Sequence, residues 1–217
     1  MSTRRGAVAP GLTRAREGAD PELAASTAGD RVLLARSAWP PAPPAALPAV
    51  PGFVVSSFSP LAAHLAELCL LRYFGRPPAD PARGRQTAVV LASTTGDLAT
   101  AAAVARAVDE GRPVPPLLFY QSNPNAVVGH IAARWGLEGP VTCTIPARRG
   151  LADAMDSAAL LIEGGEAEAA LVILADQGLP GGDDQTPAGD SGAALLVGPA
   201  WWPVEKEDND NLGNRPR

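Results

Sequence analysis

From Ser59 to Gly198 the sequence alternates short apolar runs with alanine-rich stretches of helical length, and this alternation restricts the possible folds more than any other feature. SPLAAHLAELCLLRYFG carries helix punctuation at both ends, with Ser59 expected as the N-cap, Pro60 at the first helical position and Gly75 as the stop. QTAVVLAS, residues 86–93, is a continuous apolar run of strand length, and TTGDLATAAAVARAVDEG after it reads as a helix stopped by Gly111. PLLFYQSNPN is an irregular apolar approach to a further helix, NAVVGHIAARWG. Next come a strand in PVTCTI, a helix in GLADAMDSAALLIEGG, a strand in EAALVILAD, a glycine-rich turn GLPGGDDQTPAGD and a last strand, SGAALLVG. Strands separated by helices define an α/β layered fold whose sheet is mixed, mostly parallel and covered by helices.

The flanks lack this rhythm. Residues 1–50 form a low-complexity segment rich in arginine, proline and alanine, in which RVLLARSA, 31–38, is expected as a first strand. WPPAPPAALPAVP favours extended polyproline conformation and cannot pair as a central strand. Residues 51–200 are expected to hold the folded domain, and 201–217 to be a disordered acidic tail.

A formal net charge of -5 leaves no basic face able to neutralise many phosphates, so no nucleic-acid partner is expected. Nowhere do about 18 apolar residues run together, which argues against a membrane span. The arginine-rich start has no secretory apolar run, and Glu17, Asp20 and Glu22 count against a transit peptide. Two cysteines far apart, Cys69 and Cys143, make neither a disulfide framework nor a zinc pattern. A cytoplasmic location, with no metal and no cofactor, is the expectation.

Cys143 is the first candidate nucleophile, because thiolates attack readily once their pKa falls. Val141 and Ile145 share its parity on the strand, however, which favours core filling. Cys69 lies in the apolar stripe of a helix with Leu65 and Leu68 and is expected in the core. His64 and His130, the only histidines, sit on helices without a relay signature. STTGD, residues 93–97, joins strand to helix but has one glycine where a dinucleotide fingerprint needs several. The turn GLPGGDDQTPAGD lacks the lysine and following helix of a phosphate loop. Arg148 and Arg149 are more informative. At the first turn of a helix the macrodipole disfavours a guanidinium by about 0.3–1 kcal/mol, so the pair asks for open solvent, a partner's carboxylate or a phosphate-bearing ligand.

The run from Asn123 to Asp176 resembles the centre of the N-terminal half of β-ketoacyl synthases, the condensing enzymes of fatty-acid and polyketide assembly. Asn125 and Gly129 open the helix before a "GL.GP" turn, here Gly136, Leu137, Gly139 and Pro140. After the strand and the next helix comes a "GE...ALV" step, here Gly165, Glu166, Ala170, Leu171 and Val172, and DSGAALLVG resembles the strand that closes that half. The resemblance covers most of residues 53–198 and implies a thiolase-like fold, N-terminal half only.

In that family the nucleophilic cysteine follows the glycine of "GP" by nine residues, a position held here by Arg148, with Ala147 before it. Cys143 falls five positions earlier and does not inherit the role. The family's catalytic histidines and lysine belong to the C-terminal half, and neither His64 nor His130 matches them. An arginine cannot attack a thioester, so the resemblance implies no Claisen condensation by this chain alone. It further implies that the helix over 151–162 is the middle layer between two halves, with Leu151, Met155, Ala159, Leu161 and Ile162 left for a partner.

The expectation is therefore a catalytically silent, chain-length-factor-like partner, structural or regulatory, in polyketide or fatty-acid assembly. It would join a second copy of itself or a full-length ketosynthase. Two alternatives stand beside it: an acyl-transfer or thioester-hydrolysing enzyme using Cys143 or a partner's residue, and a module in which Arg148 and Arg149 hold an acyl carrier protein or its phosphopantetheine arm.

Overall fold

The computed structural model describes residues 31–41, 45–147, 150–178 and 189–202. The expectations for residues 1–30, for Arg148 and Arg149, for most of the glycine-rich turn and for the tail beyond Trp202 lie outside the described residues.

Among the described residues five strands form one mixed sheet in the order β1-β5-β4-β2-β3. They are β1 (Arg31–Trp39), β2 (Thr87–Ala92), β3 (Val141–Thr144), β4 (Ala169–Asp176) and β5 (Ser191–Pro199). β2 lies parallel to both β3 and β4, whereas β5 lies antiparallel to β4 and to β1. Connectivity accounts for the split. β2, β3 and β4 follow one another through helices, which carry the chain back for parallel pairing, while β4 meets β5 without a helix among the described residues and so reverses direction. β2 and β4 are central, and six residues of β2 are wholly buried, as their unbroken apolar runs require.

Among the described residues there are six helices, α1 (Phe58–Phe74), α2 (Pro81–Arg85), α3 (Leu98–Asp109), α4 (Pro116–Gln121), α5 (Asn125–Trp135) and α6 (Leu151–Glu163), of which α1, α5 and α6 pack on the sheet. On one face Leu61, Leu65 and Leu70 of α1 and Val127 and Ile131 of α5 pack against Val89, Leu91, Leu171, Ile173 and Leu196. On the other face Ala154, Met155 and Ala158 of α6 lie over Val90, Ala92, Val172 and Leu195. Cys69 is fully buried in the first of these cores, and burial pushes its thiol pKa up to about 12.

The structure differs from the sequence expectations at several points. α1 begins at Phe58 rather than after Ser59: the Phe58 N–H donates to the Ser56 hydroxyl at 3.1 Å, and Ser59 is buried inside the first turn. PLLFYQ, expected to be irregular, forms α4, because Pro116 at its start costs the helix no hydrogen bond. Trp202, assigned to the tail, is core: its ring stacks on Tyr73 at 6.5 Å and lies under the Arg83 guanidinium at 5.8 Å. The stripe of α6 offered to a partner is largely occupied at home. Met155 is buried, Leu151, Leu161 and Ile162 pack partly buried against this chain's own sheet, Ala159 is likewise half-buried, and Leu160, 70% exposed, is the side chain that α6 presents outward.

Residues 45–54 run as an extended strap across the helices of the first face. Leu47 and Phe53 pack against that core, and Gln121 of α4 fixes the strap by donating to the Gly52 carbonyl and accepting from the Val54 N–H.

Candidate functional site

The C-terminal ends of β2, β3 and β4 converge, and side chains from three loops meet there. Asp176, the last residue of β4, is the centre. Its Oδ1 accepts from the Ser93 hydroxyl at 3.0 Å, from the Thr94 N–H at 2.6 Å and from the Thr95 N–H at 3.3 Å. The loop after β2 thus already holds an anion, supplied by the chain itself. The STTGD turn has its two leading backbone donors committed to a carboxylate, which is why it is no cradle for a cofactor's phosphate. Within the turn, Gly96 adopts φ +65 and donates to the Ser93 hydroxyl, and Asp97 caps α3 by accepting from the Thr100 N–H at 2.9 Å.

Sequence reasoning passed over Asp176. The only local signal is a carboxylate at the end of an apolar strand in an otherwise uncharged run. Replacing Asp176 by alanine is expected to lower stability by about 2 kcal/mol, because two backbone N–H groups lose a charged acceptor. Asparagine, which keeps an acceptor oxygen, should recover more than half of that loss in urea unfolding.

Next to this loop lies a cleft of ≈ 230 Å³ bounded by Thr94, Thr95, Gly96, Pro124, Cys143 and Ile145. Cys143 does not fill the core. β3 is the outer strand of the sheet, so the face carrying Val141, Cys143 and Ile145 extends past the covering helices, and Val141 and Ile145 are 47% and 78% exposed. The thiol itself turns into the cleft wall and donates to Asn125 Oδ1 at 3.0 Å, and burial there raises its pKa. A raised pKa leaves less thiolate at neutral pH and opposes nucleophilic use. Neither histidine lines this cleft; His64 and His130 face a cavity beside α1 and α5. The structure therefore does not assemble a Cys/His relay around Cys143.

α6 starts beside the same ends of the strands. Gly150 precedes it with φ +51, a conformation that favours glycine, and a Cβ placed there would stand 3.9 Å from Leu174 of β4. The expected site pair Arg148 and Arg149 immediately precedes that glycine in sequence, outside the described residues.

A strand–loop–helix junction at the open ends of parallel strands, with α6 laid across the opposite face from α1 and α5, defines a thiolase-like half. The comparisons with known proteins agree. The family described as "Beta-ketoacyl synthase, N-terminal domain" matches residues 80–194, more than half of the chain, and the chain belongs to this family. Among solved structures, the ketosynthase in complex with its chain length factor from Xenorhabdus doucetiae superposes with a TM-score of 0.58 at 21% identity, over 72% of this chain and 64% of that one. The ishigamide ketosynthase/chain length factor gives 0.59 at 24% identity, over 79% and 63%. A β-ketoacyl synthase from Burkholderia phymatum STM815 gives 0.56 at 19%, over 72% and 46%. The chain thus spans less than two thirds of the length of these relatives. No curated protein matches the sequence.

Proposed function

We propose that this protein is a non-condensing, ketosynthase-like partner, structural or regulatory, in polyketide or fatty-acid assembly. One observation carries the reading: in a member of this family, the position nine residues after Gly139, where the nucleophilic cysteine belongs, holds Arg148. The chain's accessible thiol, Cys143, sits on the wrong element, with its pKa raised by burial and no imidazole in its cleft. Two of the similar structures are ketosynthase and chain-length-factor pairs, which supports a paired role. A cytoplasmic setting goes with that role; among the described residues no helix is long and apolar enough to cross a membrane.

The partner is a full-length ketosynthase or a second copy of this chain. β3 is an outer strand with one row of backbone groups unpaired in this sheet, and exposed Val141 and Ile145 flank it. Phe119 and Tyr120 of α4 and Leu160 of α6 add exposed apolar area elsewhere on the chain.

The test is acylation. Incubated at pH 7 with an octanoyl thioester, the protein is expected to show no acyl adduct by mass spectrometry, and Cys143 alkylation by iodoacetamide should rise only above the ordinary thiol range of about pH 8.5. Cys69 should stay unlabelled until the chain unfolds. Stable acylation of Cys143 at neutral pH would overturn the silent reading. Light scattering is expected to show a dimer, or a complex with a co-expressed ketosynthase; a monomer that binds neither contradicts the partner role.

A further inference from the structure

The face of the sheet opposite α6 carries a larger concavity, ≈ 400 Å³, between the strap, α1 and α5. Its walls are apolar: Pro48 and Val50 from the strap, Pro60 and Ala63 from α1, Ile131 and Trp135 from α5. Four polar side chains converge on it, His64, Glu67, His130 and Arg134. A pocket of this size, apolar with a few converging polar groups, is the usual form of a small-molecule site.

The hydrogen bonds decide which ligand chemistry fits. Glu67 Oε1 accepts from Arg134 Nη2 at 2.7 Å, while Oε2 accepts from Arg134 Nε at 2.9 Å and from Trp135 Nε1 at 2.8 Å. These bonds, led by the one from Arg134, hold the Glu67 carboxyl below its ordinary range. The carboxylate lining the cavity is therefore already engaged by three donors of its own chain. Donor capacity remains in the Nη1 group of Arg134 and in the ring N–H groups of His64 and His130. Trp39 meets His64 edge-on at 5.5 Å and Phe53 meets His130 at 5.8 Å, which fixes both rings in place.

We propose that this cavity binds a small monocarboxylate with an apolar body, the carboxylate taken by Arg134 and the two imidazoles and the body held between the strap and the helices. The Glu67–Arg134 pair is neutral as a unit, so an incoming anion is answered by protonation of His64. Burial lowers the pKa of His64, with Glu67 opposing that effect. The charged groups facing His64 are Glu67 on its own helix and His130 and Arg134 on α5; the strap over 45–54 carries no titratable side chain and Trp39 is neutral. Because a bound carboxylate favours the charged form of His64, binding takes up a proton and tightens as pH falls from neutral toward the lowered pKa of that imidazole, which lies below its ordinary value. This site is independent of the junction at Asp176 and of the silent-partner reading.

The experiment is a titration of the full chain with sodium octanoate, followed by tryptophan fluorescence, with 1-octanol as the uncharged comparison. Octanoate should bind saturably, about fivefold or more tighter than octanol at pH 7.5. Its affinity should rise a further fivefold or so between pH 7.5 and pH 6, while octanol should not respond. Ala63→Phe, which fills the cavity, should weaken octanoate at least about tenfold. Octanol binding as tightly as octanoate, an octanoate affinity unchanged with pH, or full affinity in a folded Ala63→Phe protein would each overturn the proposal. Should that variant fail to fold, the two wild-type comparisons decide alone.

Discussion

Replacing Trp202 by alanine is expected to lower the free energy of unfolding by about 3–5 kcal/mol, the range for truncating a large buried aromatic. Although Trp202 follows the last strand by only three residues, its side chain is 3% exposed. Its ring lies nearly parallel to Tyr73, at 18°, and the Arg83 guanidinium stands 5.9 Å from one ring and 5.8 Å from the other. Truncation would leave a cavity against Tyr73 and remove one of the two rings beneath the cation. The Tyr73 hydroxyl, which donates to the Trp202 carbonyl at 3.2 Å, would survive because its acceptor is backbone. Urea unfolding should therefore separate three variants: Trp202→Ala with the full loss, Trp202→Phe with less than half of it, and Arg83→Ala with about 1 kcal/mol or less, the scale of an exposed cation–π contact. A Trp202→Ala protein as stable as the parent would mean that the segment following β5 is not part of the core.

The parts of this fold legible in the sequence are those fixed locally. Gly75 and Gly136 end α1 and α5 with positive φ, at 76° and 66°, where a glycine stop predicts it. β2 and β4 show as continuous apolar runs because both faces are covered. The family pattern around Gly139 and Pro140 is likewise local to one turn. α2 carried signals that the reading passed over, since Asp80 accepts from the Ala82 and Arg83 N–H groups and Pro81 opens the helix. What the sequence hid depends on strand order and on distant meetings. The parity of Cys143 with Val141 and Ile145 was legible, but whether that face is covered depends on β3 lying outermost, which no local pattern states. Asp176 and the residues of the STTGD turn that it binds are 81 to 83 positions apart, and only the parallel pairing of β2 with β4 makes one the other's anion. The α6 stripe is legible as apolar, but an amphipathic helix does not say how much of that stripe its own sheet covers.

Gly139→Ala tests the turn that carries the family pattern, and its effect should rank with that of Trp202. A Cβ at Gly139 would stand 2.5 Å from the Thr87 carbonyl oxygen, 2.6 Å from its carbon and 2.8 Å from the Ala88 nitrogen. All three atoms are backbone of the central strand β2, which cannot swing aside as a flexible side chain would. β3 must move instead, and with it the Val89 N–H bond to the Pro140 carbonyl at 2.9 Å that starts the β2–β3 pairing. The expected loss is about 3 kcal/mol, at the upper end of the cost of overpacking, because no rotamer relieves a main-chain clash. The location of the strain gives the measurement a second readout. Displacing β3 should free Cys143 from Asn125 and open the cleft, so iodoacetamide should alkylate Cys143 faster in native buffer, while Cys69, beneath α1, stays protected until global unfolding. Equal acceleration at both cysteines would place the damage in the whole domain rather than at its outer strand. A stable variant with parental labelling would mean that the glycine of this turn is not required by the packing of β3 on β2.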